Sequence, residues 1–224
     1  MSLTPLTEVP EFLSSFLARV RPVQARTVLL DNLLPPFPLY ARVLNRAERG
    51  YGPTSSWQDL GGPGLEVDAS TQWTDIVGSN PEAADWNVAM GSVDGSTAAG
   101  LAGILGRHTS TPEHCWFLFW EGYAGIGDGI GPATTATITV NPDRSMYVLT
   151  GPVADAMELA GGEFYLRRPL WWIPADGAWC VGNDLYGRSV YVGASVEALS
   201  EILQEPTLES HPVRGQHLVA AEDF

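Results

Sequence analysis

A group of aromatic and acidic side chains in the second half of the chain is the pattern best suited to binding. It comprises Trp120, Glu121, Tyr123, Trp172 and Asp176. An aromatic ring beside a carboxylate and a glycine-rich loop favours contact with a ligand or a protein. Because adjacent strand residues face opposite sides, at least one of the pair Trp171-Trp172 must leave the main core. We predict a binding surface from these residues, with a second layer of packing as the alternative.

Few combinations of side chains in this sequence could carry catalysis. Glu121 with Asp176 or Asp184 could act as an acid–base pair, which requires burial and proximity. Cys180 could meet a distant histidine in the fold. All 12 basic residues are arginine, which excludes lysine nucleophiles and phosphate-loop lysines, and the sequence has no G-x-S-x-G segment. We therefore predict no catalytic residue and lean away from an enzyme.

Three potential zinc ligands, His108, His114 and Cys115, are close in the sequence. A zinc site would need a fourth partner, and the chain has no recurring spacing of cysteine and histidine. Cys115 and His114 do not form a dyad either, because neighbours on a strand point to opposite faces. We predict no metal and expect Cys115 and Cys180 to be buried, reduced thiols.

The segment GYAGIGDGIGP carries alternating glycines at Gly125, Gly127, Gly129 and Gly131. It does not match G-x-G-x-x-G, and the strand-like TTATITV follows it where a phosphate site would need a helix. We predict a flexible loop between strands, and no cofactor.

The charge balance restricts the classes of partner. Among 224 residues, 12 are basic and 26 acidic, giving a formal net charge of −14. Such a surface repels nucleic-acid phosphates and anionic lipid, so neither nucleic acid nor membrane is predicted as a partner. It suits a basic protein, although solubility is the plainer interpretation. With no secretion leader or membrane-length apolar run in the sequence, we predict a cytoplasmic location.

The apolar periodicity indicates helices before residue 115 and at the end of the chain. We predict a first helix near residues 10–21 and a helix with Ser96 or Thr97 as its N-cap. Between them, short helical turns are expected around Trp57, Trp73 and Trp86. A last helix should bury Val196, Leu199 and Leu203, and the tail after residue 206 should be partly ordered.

Strands dominate between residues 115 and 193. CWFLFWE is apolar on both faces and therefore predicts a central strand. LWWIP, AWCVG and SVYVG follow at spacings too short for crossover helices, so they should pair antiparallel. With the earlier strand PLYARVL, these segments predict a single α+β domain over residues 1–224, a mostly antiparallel central sheet with a few helices packed on it.

Three segments resemble motifs of a widespread family of uncharacterised actinobacterial proteins. They are HTSTPEHCWFLFWEGYAGIG from His108, MYVLTGP from Met146 and WWIPADGAWCVGND from Trp171. The family has a histidine after ARVL where this chain has Asn45, and Asp184 stands in an altered context. The resemblance implies architecture and bacterial origin, and no activity. In size, acidity and tryptophan content the chain is also loosely similar to SMI1/KNR4-type immunity proteins, which bind and neutralise toxins.

Two hypotheses about function follow. The first is a non-catalytic interaction protein that binds a basic partner, in its sharpest form as an immunity protein. The second is a small-molecule-binding protein or enzyme that uses the aromatic rim of the glycine-rich loop, which requires a pocket of several hundred cubic ångströms.

Overall fold

Helices cover both faces of a large sheet in the computed structural model, which describes residues 3–22, 28–50, 52–131, 134–140, 144–161 and 166–219. The described residues form six α-helices: α1 Glu11–Leu17, α2 Trp57–Leu60, α3 Trp73–Ser79, α4 Gly95–Leu105, α5 Ile126–Ile130 and α6 Val196–Gln204. Short 3-10 helices are Leu30–Asn32, Pro81–Asp85, Gly106–His108 and Val153–Met157.

The strands belong to one large sheet and one small sheet. They are β1 Thr4–Pro5, β2 Leu39–Leu44, β3 Ala47–Glu48, β4 Thr54–Ser55, β5 Asn87–Val88, β6 Cys115–Trp120, β7 Thr137–Val140, β8 Arg144–Gly151, β9 Trp171–Pro174, β10 Cys180–Gly182, β11 Ser189–Ala194 and β12 Ser210–Val213. The large sheet has the order β1-β8-β6-β9-β10-β11-β2-β12, with β7 also paired to β8, and the small sheet has the order β4-β3-β5. Every pairing among the described strands is antiparallel. The predicted α+β class and the internal position of β6 are confirmed.

Both faces of the large sheet are buried, which explains the unbroken apolar runs in its strands. Along β9, Trp171 packs on the side of α1, whereas Trp172 packs on the side of α4 and α6. Their exposed fractions are 1% and 0%. The alternative of a second packing layer is therefore correct for this pair, and Trp172 presents no surface to a partner.

The boundaries and faces of several helices differ from the prediction. α1 is shorter than residues 10–21, because Arg19 and Val20 donate to carbonyls three residues back and tighten the chain into turns. The N-cap of α4 is Asp94, not Ser96 or Thr97, and its carboxylate accepts both of those backbone N–H groups at 2.9 and 3.0 Å. A carboxylate is a strong cap because it also faces the positive end of the helix dipole.

The predicted buried face of α6 is only partly correct. Leu199 is buried, but Val196 and Leu203 are 53% and 37% exposed, and the inward positions are taken by Ala198 and Ile202. Helical spacing allows either set of residues to face inward. Close contact of α6 with β2 and β11 favours the set that contains the small residue Ala198.

A separate small core lies beside the large sheet. Residues 47–88, here called the acidic lobe, contain β3–β5, α2 and α3, and pack around Trp57 and Trp73, whose ring centroids are 5.3 Å apart. Trp86 is half-buried against the same core. The expectation of short helical turns around these three indoles is confirmed.

One buried amide joins the acidic lobe to the rest of the fold. Asn45 has no exposed surface, and its Nδ2 donates to the carbonyls of Ala89 and Ser92, both at 2.8 Å. Its Oδ1 accepts the backbone N–H of Asp94 at 3.2 Å, and its own carbonyl accepts the indole N–H of Trp57 at 2.8 Å.

The segment after residue 206 closes the far edge of the sheet. β12 pairs with β2, and Leu218 bridges to Leu29. The carboxylate of Glu209 accepts the backbone N–H groups of Trp57 and Gln58 at 2.6 and 2.8 Å. In the tail predicted to be partly ordered, residues up to 219 thus contribute a strand and hydrogen bonds, and residues 220–224 lie outside the described residues. Within the described ranges, no helix is long and apolar enough to cross a membrane.

Replacing Asn45 by Ala should destabilise the fold by about 3 kcal/mol, because two carbonyls and one N–H would lose their partners inside the protein. Urea unfolding followed by tryptophan fluorescence would measure the loss. Asn87→Ala, at an exposed position of β5, is the matched control and should change stability by less than about 0.5 kcal/mol. Equal effects of the two substitutions would contradict the linking role of Asn45.

Candidate functional site

The five residues predicted to bind lie in three separate places. Trp120, Glu121 and Tyr123 lie together at the end of β6, and Trp172 is in the core. Asp176 follows β9, whose Pro174 pairs with Cys115 at the opposite end of β6. Five strand positions separate the two ends of β6, roughly 17 Å. Glu121 and Asp176 therefore do not form an acid–base pair.

Trp120 and Tyr123 form an aromatic brace with two arginines. Their ring centroids are 5.3 Å apart at nearly perpendicular planes. The guanidinium carbon of Arg144 lies 5.8 Å from the Trp120 centroid, and that of Arg167 lies 5.5 Å from the Tyr123 centroid. Each guanidinium lies over the electron-rich face of a ring, a favourable cation–π interaction.

The hydroxyl of Tyr123 is also committed within the fold. It donates to the carbonyl of Gly91. Burial raises the pKa of Tyr123 well above its ordinary value, while the charge of Arg167 opposes this rise, and that of Asp184 adds to it. The phenol is therefore neutral at physiological pH, and the geometry favours a bracing role over proton transfer.

The glycine-rich segment after Tyr123 contains a helix, so the prediction of a flexible loop is wrong for residues 126–130. Gly125 and Gly131 flank α5 with φ of 72° and 69°, the left-handed conformation that glycine adopts without strain. Ile126 and Ile130 are buried and hold the helix on the sheet. Gly125 and Gly131 are therefore placed where the helix begins and ends.

Asp176 organises the turn between β9 and β10. Its carboxylate accepts hydrogen bonds from the hydroxyl of Thr109 at 2.8 Å, from both the backbone and the hydroxyl of Ser110 at 2.7 Å, and from the backbone of Ala178 at 3.1 Å. Burial raises the pKa of Asp176, but these hydrogen bonds outweigh it and hold the pKa below its ordinary value.

The potential metal ligands are dispersed. The ring of His108 pairs with Glu201 at 2.7 Å, and His114 is exposed. Cys115 and Cys180 are fully buried on opposite faces of the sheet, and burial raises the pKa of each thiol. In the part of the chain that the structure describes, no group of three or more His, Cys, Asp or Glu is arranged to hold a metal ion.

The acidic lobe is a candidate functional feature that motif searching missed. Residues 47–88 include a single cation, Arg49, which pairs with Asp85 at 2.9 Å. The lobe carries seven exposed carboxylates: Glu48, Asp59, Glu66, Asp68, Asp75, Glu82 and Asp85. A count of charges along the chain, in place of a count for the whole chain, would have found it.

Several of these carboxylates are fixed by local hydrogen bonds. Asp68 accepts the backbone N–H groups of Ser70 and Thr71 at 2.7 and 3.0 Å, and Asp75 accepts that of Gln72 at 2.7 Å. Hydrogen bonds from Ser70 are the main reason why the pKa of Asp68 lies below its ordinary value. The negative charges of Asp68 and Asp75 are therefore fixed in position.

Comparison with models of protein families, with curated proteins and with solved structures gives no match to this chain. The resemblance to the actinobacterial family and the looser likeness to immunity proteins stay predictions.

Replacing Asp176 by Asn should lower the thermal unfolding midpoint at pH 7, because a neutral amide cannot accept the same four hydrogen bonds. Since the folded-state pKa is depressed, the stabilisation is present above the ordinary aspartate pKa of about 3.9 and is lost as the pH falls through the folded-state value. The difference from wild type should therefore shrink between about pH 5 and pH 2.

Circular dichroism melts across that pH range would measure the difference. Asp128→Asn, exposed on α5, is the matched control and should melt like the wild type at each pH. A deficit for Asp176→Asn that does not change with pH would show that the charge of the carboxylate is not what holds the turn.

Proposed function

We propose that this protein is a non-catalytic interaction protein that binds a basic partner protein through its acidic lobe. The observation that carries the proposal is the set of seven exposed carboxylates in residues 47–88, a range that contains one arginine. Arg42, Arg46 and Arg188 contact the lobe from neighbouring elements, and Arg42 is buried. The lobe thus contributes −6 of the chain's formal net charge of −14, from fewer than a quarter of its residues. Complementary charge of this density accelerates encounter and selects against acidic competitors.

The construction of the lobe supports a preformed binding surface. Trp57 packs against Trp73, its backbone N–H is held by Glu209, and its indole N–H is held by Asn45. A rigid surface loses little conformational entropy when it binds. The carboxylates are spread over α2, the loop between α2 and α3, α3, the Pro81–Asp85 helix and the small sheet, which suits a broad basic surface better than a point cation.

An exposed apolar side chain borders this surface. Met90, two residues after β5, is 38% exposed, and Trp86 is half-buried. Interfaces usually combine a few apolar or aromatic contacts with a polar rim. In the sharpest form of the proposal the partner is a basic toxin that the lobe neutralises, as immunity proteins do. A basic protein encoded by a neighbouring gene would be the first partner to test.

Neutralising lobe carboxylates should weaken binding more than neutralising the same number elsewhere. The variant Glu48→Gln/Glu66→Gln/Glu82→Gln changes three exposed side chains of the lobe, and Glu8→Gln/Glu11→Gln/Glu113→Gln changes three exposed ones outside it. Both variants have the same net charge. With an oligo-arginine peptide as the defined probe, the lobe variant should associate roughly tenfold more slowly at low salt, and the control only slightly more slowly.

Surface plasmon resonance over a series of salt concentrations would give the association rates, and the wild-type rate should fall steeply as salt screens the lobe. The same two triple variants can then be used to measure association with the basic protein encoded by a neighbouring gene. Equal slowing by both triple variants would mean that only overall charge acts, and would remove the proposed site.

A further inference from the structure

A cavity of about 450 Å³ opens at the end of β2 that is remote from the acidic lobe. This volume is within the range of small-molecule sites. The residues that bear on its chemistry are Asp31, Phe37, Leu39, Tyr40, Arg214 and Gln216. They come from the Leu30–Asn32 helix, the approach to β2, and the turn after β12, so segments far apart in the sequence converge on it.

One wall of the cavity is aromatic and held in place. The hydroxyl of Tyr40 accepts the backbone N–H of Phe37 at 2.9 Å and donates to the carbonyl of Pro35 at 3.1 Å. The rings of Phe37 and Tyr40 are nearly perpendicular with centroids 6.4 Å apart, and Phe16 packs edge-on against Phe37 at 6.1 Å. Leu39 also lines the cavity and is 42% exposed. The wall therefore offers a preformed apolar surface to a flat ring.

The lining of the cavity also has one uncompensated positive charge. Asp31 accepts hydrogen bonds from Arg21 at 2.9 Å and from Gln216 at 3.1 Å, which balances the charge of Arg21. Arg214 lines the cavity and is exposed, and its guanidinium has no hydrogen bond or ion pair with another described residue. The backbone N–H of Asp31 donates to the carbonyl of Gly215 at 2.8 Å, which fixes the turn that carries Arg214.

We propose that this cavity binds a small aromatic monocarboxylate. The ring would lie against Phe37, and the carboxylate would accept paired hydrogen bonds from the guanidinium of Arg214, the geometry that arginine offers to planar anions. A single negative charge is preferred because Asp31 also lines the cavity and repels a second one. In a chain of net charge −14, a cleft with local positive charge is selective for its anion.

The test uses benzoate as the probe on the full-length, nitrogen-labelled protein, with binding followed by NMR chemical shifts. Benzoate should shift amide signals of Leu39, Tyr40 and Gly215, and the uncharged isostere benzamide should bind roughly tenfold or more weakly, because it lacks the charge-assisted hydrogen bonds. Arg214→Gln should weaken benzoate binding by a similar factor. Arg107→Gln removes an exposed arginine at a distant helix end and should bind benzoate like the wild type.

Phe37→Leu tests the aromatic wall independently, and should weaken benzoate binding several-fold while the Arg214 contact remains. Amide signals outside the cavity report whether each variant is folded. The proposal is overturned if benzoate and benzamide bind equally, if inorganic phosphate binds as well as benzoate, or if the shifted signals lie away from the cavity. These outcomes are independent of the acidic lobe, so the two proposals fail separately.

Discussion

The buried amide of Asn45 is the contact on which the arrangement of this molecule depends. It lies just after β2, at the point where the chain leaves the large sheet for the acidic lobe, and it holds two carbonyls and one N–H of the segment that leads into α4. A buried polar group must find partners, so these bonds hold the segment after the lobe against the end of β2. Asp94 continues the connection by accepting the backbone N–H of Arg46 at 2.8 Å while it caps α4. The lobe itself is also held by Arg42, which donates to the carbonyls of Ala69 and Thr71, and by Glu209, which accepts the backbone N–H groups of Trp57 and Gln58.

The two ends of β2 have opposite electrostatic character. Towards Leu44 the strand leads into seven exposed carboxylates, and towards Leu39 it leads to the cavity that contains Arg214. Within the lobe, Arg49 pairs with Asp85, and Arg42, Arg46 and Arg188 reach the lobe from neighbouring elements. The strand thus lies between the carboxylate-rich lobe and the cavity lined by Arg214.

Sequence patterns predicted the elements whose hydrophobic period is strong, and failed where tertiary contacts decide. The apolar run of β6 and the close spacing of the last strands indicated an antiparallel sheet, because these features are local. The burial of both Trp171 and Trp172 depends on helices covering both faces, which one strand cannot reveal. Strands of two residues, such as Thr54–Ser55, are too short to show an alternation of apolar and polar residues. The edge strand β12 contains Pro212. Proline counts against a strand in a sequence-based prediction because it has no N–H to donate, but an edge strand tolerates it.

The separation of Glu121 from Asp176 shows why a candidate site was harder to predict than a fold. Both residues follow strands, but antiparallel pairing of β6 with β9 sends the ends of the two strands in opposite directions. Once that pairing is known, Trp120 with Tyr123 can act only at one end and Asp176 only at the other. Register is a long-range property, whereas charge density along the chain is a local one. The acidic lobe was therefore within reach of sequence reasoning, because its carboxylates are neighbours in sequence as well as in space, and that coincidence makes it the stronger basis for a function.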